Sequence, residues 1–369
     1  MERNLAIIGA SYLQLPLIKK AKEMGFTTHV FAWKANDVGE KEADVFYPIS
    51  IIEKDAILNV CKNIGVCGVC SIASDLAAVT VNYVANSLGL PCNSPDAAKK
   101  STNKHLMRLA FQEAGDPSPQ SIEVDAYTDL SKYDFTYPVI VKPTDRSGSR
   151  GICKLEGPAQ LKKSVDDAVD VSFEKKALIE EFVEGQEYSV ECISYKGKHH
   201  LLAVTLKYTT GAPYFIETGH LEPAPISKEM VQKVQEVVFH ALDTLEIQNS
   251  ASHSEIKIDE SGSIKIIEIG GRMGGDCIGS HLVYYSTGVD FLRAVIQVAV
   301  GQEPDLKPVR EPCKVKCVYI FTDEDLKIMY QLKQSNPELL LEEVYLQEEN
   351  LNKATDSSSR SGCYIMIAE

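Results

Sequence analysis

The sequence lacks the features of a membrane-spanning protein and of a nucleic-acid-binding protein. No segment approaches the roughly 20 consecutive apolar residues that a helix needs to cross a bilayer. The net charge of −14 argues against a nucleic-acid partner, because neutralising phosphates requires clustered Lys and Arg. Residues 1–10 contain no basic run followed by a signal-length apolar stretch, so we expect a cytoplasmic protein without a membrane partner.

The cysteines do not have the spacing of a small secreted scaffold. Cys67 and Cys70 form an isolated CxxC pair, and Cys313 and Cys317 form a CxxxC pair. No second pair follows at zinc-finger spacing. We therefore interpret the ten cysteines as reduced residues that pack as small hydrophobic side chains.

The first quarter of the chain alternates short apolar runs with helical segments. The runs at 4–10, 27–32 and 66–70 are separated by helical patterns, which is typical of a parallel sheet covered on both faces. Gly9 ends the first run, but the second and third glycines of the dinucleotide-binding fingerprint are missing. This turn is either structural or an anion contact at a helix N-terminus. Pro91 and Pro95 mark the predicted end of the first domain.

A lysine ends the apolar run at 137–143. Lys142 would be partly desolvated there, and such a charge needs a negative partner, for which a triphosphate would serve. The polar loop at 145–151 follows at once, and its amides and hydroxyls suit a mobile cover over phosphates. Lys104 lies upstream in a helical segment, where a solvated surface charge is the alternative interpretation.

The segment at 180–187 has the pattern of an apolar hinge between acidic residues. Its backbone could offer a carbonyl and an amide to the edge of an adenine ring. Glu187 lies one step past the turn, where a carboxylate could accept both hydroxyls of a ribose. A surface hairpin with acidic residues is the alternative interpretation.

Two later strand segments each carry a glutamate that alternates with apolar residues. Glu255 and Glu268 flank a hairpin turn at 259–262, so the strands should be antiparallel neighbours with both carboxylates on one face. Two converging carboxylates repel unless a cation lies between them, and Mg²⁺ prefers carboxylate and phosphate oxygens. Arg272 follows in a glycine cluster, where it could clamp a carboxylate or a phosphoryl group. An exposed structural carboxylate pair is the alternative.

Taken in order, these motifs resemble the ATP-grasp superfamily over nearly the whole chain. The resemblance implies an α/β and α+β multidomain fold. A Rossmann-like domain at 1–95 would precede an ATP-grasp domain of two α+β subdomains at 96–305. Its lid would lie near 145–151, and a small C-terminal subdomain would span 306–369.

The resemblance also assigns roles to individual residues. Lys104 and Lys142 would bind phosphates, and Ser147 and Gly148 would belong to the lid. Adenine and ribose would be bound by Glu180, Glu181, Phe182, Val183 and Glu187. Glu255 and Glu268 would hold one or two Mg²⁺ ions, with Mn²⁺ as an alternative. Many relatives have asparagine two residues after the second glutamate, where this chain has Gly270, so one ion would have fewer protein ligands.

Within the superfamily, residues 215–225 look like the corresponding segment of L-amino-acid ligases. By this resemblance His220 and Arg272 would contact the carboxylate substrate and its acyl phosphate, with Lys142 assisting. A hydrogen-bonded loop histidine is the alternative for His220. His253 shares a face with Glu255 and would support it. Arg360 lies in a turn that faces the site in such ligases and would bind a substrate anion.

The predicted function is ATP-dependent ligation of a small-molecule carboxylate to an amine, with ADP and phosphate released. A bicarbonate-dependent carboxylase and a phosphoribosylamine–glycine ligase-like enzyme use the same apparatus and are the first alternatives. A non-catalytic nucleotide-binding regulatory protein is another. Relatives commonly form homodimers, although the sequence itself shows no interface.

Overall fold

Three β-sheets organise the chain. The computed structural model describes residues 3–146, 150–212, 215–354, 357 and 359–368. The predicted lid residues Ser147 and Gly148 lie outside these ranges. Among the helices of the described residues, none is both long enough and apolar enough to cross a membrane.

The N-terminal sheet is parallel, with strand order β3-β2-β1-β4, as the alternating pattern predicts. All five residues of β1 are buried, because helices cover both faces of the sheet. Its strands are β1 (Asn4–Ile8), β2 (Thr27–Phe31), β3 (Val45–Tyr47) and β4 (Gly68–Cys70). Its helices are α1 (Leu15–Glu23), α2 (Val38–Glu42), α3 (Lys54–Ile64) and α4 (Asp75–Leu88).

The second sheet is antiparallel, with order β5-β8-β6-β7, and α7 packs on it. It contains β5 (Ser121–Val124), β6 (Val139–Pro143), β7 (Cys153–Leu155), β8 (Ala177–Glu181) and α7 (Leu161–Val171). The helices α5 (Pro95–Lys100) and α6 (Lys104–Ala114) precede it. The polar sequence of residues 101–130 predicts helix interrupted at 115–119, and this prediction is wrong for Ser121–Val124, which form β5. Helix α6 ends at a left-handed Gly115, and Ile122 and Val124 alternate into the core of this sheet.

The third sheet has eight antiparallel strands in the order β13-β12-β9-β10-β11-β14-β16-β15. Its first five strands are β9 (Gln186–Tyr195), β10 (Lys198–Thr209), β11 (Glu217–Glu222), β12 (Ser250–Ile258) and β13 (Ile264–Gly270). The last three, from the predicted C-terminal subdomain, are β14 (Val315–Ile320), β15 (Leu340–Leu346) and β16 (Gly362–Ile367). The remaining helices are α8 (Lys228–Thr244), α9 (Val283–Thr287), α10 (Phe291–Ala299) and α11 (Asp323–Ser335).

This arrangement places the predicted site where the second and third sheets meet. Lys142 comes from β6, while Glu255 and Glu268 come from β12 and β13. The short link between β8 and β9 is the predicted adenine hinge, so one stretch of chain joins the two sheets at the site.

Candidate nucleotide and metal site

Two glutamates lie directly opposite each other on neighbouring strands. Glu255 of β12 and Glu268 of β13 are register partners. Side chains opposite each other in an antiparallel pair share one face and have Cβ atoms about 5 Å apart. Since like charges at this separation destabilise a sheet, the pair requires nearby positive charge.

Each of these carboxylates has a buried lysine beside it. The Nζ of Lys104 lies 2.8 Å from Glu268 Oε1 and donates to the carbonyl of Arg146 at 2.7 Å. The Nζ of Lys207 lies 2.7 Å from Glu255 Oε1. Burial alone would lower both lysine pKa values, but the neighbouring carboxylates outweigh it and raise them above the usual 10.5. Both ammonium groups therefore stay charged at neutral pH.

Lys207 is a site residue that the motif analysis missed. Besides Glu255, its ammonium contacts Glu187 at 2.7 Å and Glu217 at 3.9 Å. It thus joins the predicted ribose-binding residue to a predicted metal ligand. A signal was present, because Lys207 interrupts an apolar strand just as Lys142 does.

Lys142 belongs to a second buried charge cluster. Its Nζ lies 2.6 Å from Glu180 Oε2, and Arg108 Nε lies 2.8 Å from the other oxygen of that carboxylate. Burial lowers the pKa of Lys142, and Glu180 only partly offsets this effect. The carboxylate of Glu180 therefore positions two cations, while its backbone lies between its register partners Ser121 and Ile140.

Two lysines from neighbouring strands flank the aromatic ring of Phe182 in the predicted hinge. The Nζ atoms of Lys154 and Lys257 lie 4.1 Å and 4.8 Å from the ring centre of Phe182. Lys257 also donates to the carbonyl of Val183 at 2.9 Å. The Oε1 atom of Glu181 accepts a hydrogen bond from Nζ of Lys265 at 2.8 Å. The hinge is thus an apolar surface with positive charge at its edge.

A cavity of about 180 Å³ connects these groups. Its walls include the predicted residues Lys104, Lys142, Glu180, Glu181, Phe182, Val183, Glu187, Glu255, Glu268 and Arg272. A larger cleft of about 880 Å³ adjoins it and shares the walls of Asp75, Lys104, Arg146 and Glu268. Loops of the N-terminal domain line this cleft, and Trp33 on its wall is 55% exposed. Together the two spaces reach the scale of ligand-binding sites.

The lid segment is anchored at its first described residues. Asp145 accepts hydrogen bonds from the backbone N–H groups of Phe173 and Glu174 at 3.2 and 2.7 Å. The guanidinium of Arg146 lies 4.4 Å from the ring centre of Phe173. Arg146 and Arg150 both line the larger cleft.

Arg272 is held by a carboxylate from the N-terminal domain. Asp75, the first residue of α4, accepts from Nε of Arg272 at 2.7 Å and from a terminal nitrogen at 3.0 Å. Both side chains are largely buried. Sequence reasoning missed Asp75, and its position at the start of an ordinary N-terminal helix carries no signal for this role.

The Asp75–Arg272 pair leaves no room for a side chain at Gly270, the position at which asparagine was expected from the resemblance. A Cβ atom on Gly270 would lie 2.9 Å from Asp75 Oδ1 and 3.3 Å from the guanidinium carbon of Arg272. The space for a side chain at position 270 is therefore filled by Asp75 and Arg272. A glycine here fits their close approach.

His253 lies beside Glu255 on the same face of β12, as the period of two predicts, and contacts its carboxylate. Its Nδ1 makes a short hydrogen bond to Glu191, and its Nε2 lies 3.6 Å from Glu255 Oε1. Glu191 in turn accepts from the amide of Gly274 at 2.9 Å. Burial would lower the pKa of His253, but Glu191 and Glu255 raise it to about 9. The imidazolium therefore links Glu255 to the glycine cluster.

Two other predicted residues lie away from the nucleotide cavity. His220 on β11 is fully buried, and this burial lowers its pKa to about 3, so the ring is neutral. Arg360 contacts Asp276 at 2.5 Å and its guanidinium lies 3.7 Å from the ring centre of Tyr319. A contact of His220 or Arg360 with substrate stays a prediction.

Comparison with known proteins identifies the central part of the chain. Residues 135–280 match the family model described as ATP-grasp domain. The chain contains an ATP-grasp domain. The matched residues hold three of the four strands of the second sheet and five of the eight strands of the third. They also include the hinge, metal and arginine segments of the predicted site.

The relatives that match include enzymes named as ligases and synthases. The chain is 25% identical over 367 residues to the alanine–anticapsin ligase of Bacillus subtilis, covering 89% of this chain and 77% of that protein. It is 24% identical over 340 residues to mouse carnosine synthase 1, covering 82% of this chain but only 40% of that longer protein. The ATP-grasp domain and the likeness to ligases agree with the sequence prediction of an ATP-grasp ligase.

Solved structures agree on the fold. The L-amino acid ligase of Bacillus licheniformis superposes with a TM-score of 0.82 over 99% of this chain and 93% of that one, at 21% identity. At this identity the likeness shows the fold alone. The predicted α/β and α+β architecture with an ATP-grasp fold is confirmed.

Proposed function

We propose that this ATP-grasp ligase activates a small-molecule carboxylate with ATP beside the Glu255–Glu268 pair and joins it to an amine. The observation that carries the proposal is the meeting of two opposed carboxylates, three buried lysines and an apolar hinge around one cavity. Such a site suits a triphosphate together with a divalent cation.

In this proposal the hinge and its neighbours orient the nucleotide. The adenine lies against Phe182 and the backbone of residues 180–183, and Glu187 accepts from the ribose. Lys104 and Lys142 bind the phosphates. The depressed pKa of Lys142 supports this role, because an anion would supply the negative charge that Glu180 alone does not.

The donor set at the Glu255–Glu268 pair fits Mg²⁺, since both side chains are hard oxygen ligands on one face. When bound there, Mg²⁺ would neutralise phosphate charge, and Mn²⁺ suits the same oxygens. His253 holds Glu255 in place for this role, through its contact at 3.6 Å. Gly270 offers no side chain, so water would complete the coordination of one or two ions.

The reacting groups would meet where the two cavities adjoin. The substrate carboxylate attacks the terminal phosphate and ADP leaves, giving an acyl phosphate. An amine entering through the larger cleft then displaces phosphate. Arg272 would stabilise the oxyanion that develops, and its two hydrogen bonds to Asp75 support this role. The lid near 145–151 would exclude water from the acyl phosphate.

The test is ADP formation with Mg²⁺ across amino acids offered singly and in pairs, with bicarbonate and with glycine plus phosphoribosylamine alongside. Turnover that requires a carboxylate and an amine together supports the proposal. Dependence on bicarbonate alone would favour a carboxylase, and ATP binding without turnover a regulatory protein. Glu268→Gln should abolish ligation, whereas Glu113→Gln on the exposed face of α6 should not. Sedimentation of the same sample tests whether the ligase forms a homodimer.

A further inference from the structure

Three buried cysteines converge behind the glycine cluster that carries Arg272. Cys277 follows that cluster, Cys317 lies on β14 and Cys363 on β16. Their sulfur atoms all lie within 4.8 Å of one another, and those of Cys277 and Cys363 are 3.6 Å apart. All three residues are at most 2% exposed.

Strand register explains why the thiols meet. Cys363 is opposite Tyr319, two residues from Cys317, so both cysteines project from the same face of the sheet. A short π-helix, Ile278–Leu282, packs over this face and places Cys277, the residue before it, next to the other two thiols. Cys277 has a left-handed backbone, with φ of +64°, which a residue with a side chain rarely adopts. The fold therefore holds this thiol in place against a local backbone preference.

A histidine without hydrogen bonds borders the same cluster. His220 on β11 is the register partner of Cys317, so the two side chains are neighbours on one face. The histidine is fully buried, and neither ring nitrogen has a hydrogen-bond partner among the described residues. A buried imidazole whose two nitrogens lack hydrogen bonds is unfavourable unless a bound ion or molecule contacts one of these nitrogens.

The distances and ligand types match one class of ion. Four ligands arranged as a tetrahedron around zinc, with Zn–S bonds of about 2.3 Å, place sulfur atoms about 3.8 Å apart. The observed 3.6 Å between Cys277 and Cys363 is close to this edge length. Thiolate and imidazole ligands favour Zn²⁺ over Mg²⁺ or Ca²⁺, which prefer oxygen.

We propose that Cys277, Cys317 and Cys363 bind Zn²⁺ as a structural ion. The ring nitrogens of His220 are not within 4.8 Å of all three sulfur atoms, so this side chain would have to rotate toward the cluster to become the fourth ligand. This site is separate from the Glu255–Glu268 pair and goes beyond the ligase function. The ion would tie the end of the glycine cluster to β14 and β16. It would thereby fix Asp276, the neighbour of Cys277, which accepts a hydrogen bond from Arg360 at 2.5 Å.

The experiment measures metal on the full chain, purified under reducing conditions and incubated with Zn²⁺ or, as a spectroscopic probe, Co²⁺. Elemental analysis after removal of free metal should give about one zinc per chain. The cobalt form should show thiolate-to-metal charge-transfer absorption. Removing the ion with a chelator should lower the melting temperature, because the metal binds the folded state.

Variants locate the ion. Cys317→Ser and Cys363→Ser should lose nearly all bound zinc, and His220→Ala should bind it more weakly. The matched control is Cys61→Ser, which removes an equally buried thiol on α3, outside the cluster. The cobalt spectrum of the unmodified chain provides a test even if a variant does not fold. Failure of the reduced chain to bind either metal, unchanged zinc in Cys317→Ser, or a disulfide joining two of the three cysteines would overturn the proposal.

Discussion

Asp75 binds Arg272 through two hydrogen bonds, of 2.7 and 3.0 Å, and so connects the N-terminal parallel sheet to the ATP-grasp domain. The two residues are 197 positions apart in the chain. A bidentate carboxylate fixes both the position and the plane of a guanidinium. The orientation of the proposed oxyanion-stabilising residue therefore depends on α4, a helix that packs with the N-terminal sheet.

The first prediction concerns this pair. Asp75→Asn should lower kcat/KM for ADP formation roughly 100-fold, because a small displacement of a catalytic group is enough for such a loss. It should also lower the free energy of unfolding by about 2 kcal/mol, since Arg272 is left without its charge partner. Asp96→Asn is the matched control, as Asp96 lies in the first turn of α5 and is exposed. Equal behaviour of the two variants would refute the role of Asp75.

The second prediction concerns the space at position 270. Gly270→Ala should disturb the Asp75–Arg272 pair and lower stability by about 1–3 kcal/mol, the usual effect of overpacking. Gly157→Ala is the control, because no atom lies within 4 Å of a Cβ built there. Gly270→Ala should lower stability less in a chain that also carries Asp75→Ala than in the unmodified chain, because the carboxylate that the new methyl group would clash with is then absent. A double-mutant cycle measured by urea unfolding should show a coupling of about 1 kcal/mol, and additive effects would contradict the proposed clash.

The third prediction concerns Lys207. Lys207→Met leaves Glu187 and Glu255 without their shared cation and should destabilise the protein by about 3 kcal/mol. We also expect weaker ATP binding, measured by calorimetry with Mg²⁺ present, because the ribose and metal residues lose their common partner. Lys198→Met, at the exposed start of β10, should change neither quantity. Unaltered ATP affinity in Lys207→Met would exclude the proposed link.

The fourth prediction concerns the pH dependence of the reaction. Burial lowers the pKa of Lys142 from its usual 10.5, so its ammonium loses its proton at lower pH than a free lysine does. The alkaline limb of kcat/KM for ATP should reflect this loss. Lys142→Arg, whose guanidinium does not titrate in this range, should move the limb to higher pH even if the rate falls. Coincident limbs in the two enzymes would show that another group is responsible.

Sequence reasoning reached the residues whose placement depends on local periodicity. The hairpin turn made Glu255 and Glu268 neighbours, and the prediction that they share one face is correct. Strict alternation from that turn would nevertheless pair Glu255 with Ile267, and an irregularity between Glu255 and Ile256 shifts the register so that the two glutamates lie opposite each other. Lys142 stood out because it ends an apolar strand. The structure brings these three residues and Lys104 to one cavity.

Residues placed by packing between distant elements were not predictable in this way. Asp75 and Lys207 reach the site through contacts across 197 and 48 residues. The cysteine cluster is a similar case, because Cys277 and Cys363 come together only when the last strands join the large sheet. Local preference also misled the prediction at residues 121–124, where pairing with β8 produces a strand.

The larger cleft beside the site carries a natural fluorophore on its wall. Trp33 lies on its wall and is the only tryptophan in the chain. Because the indole is 55% exposed, narrowing of the cleft around a substrate would change its contact with water. The unlabelled protein therefore carries its own fluorescent reporter, whose emission can be followed in stopped flow to time closure against turnover.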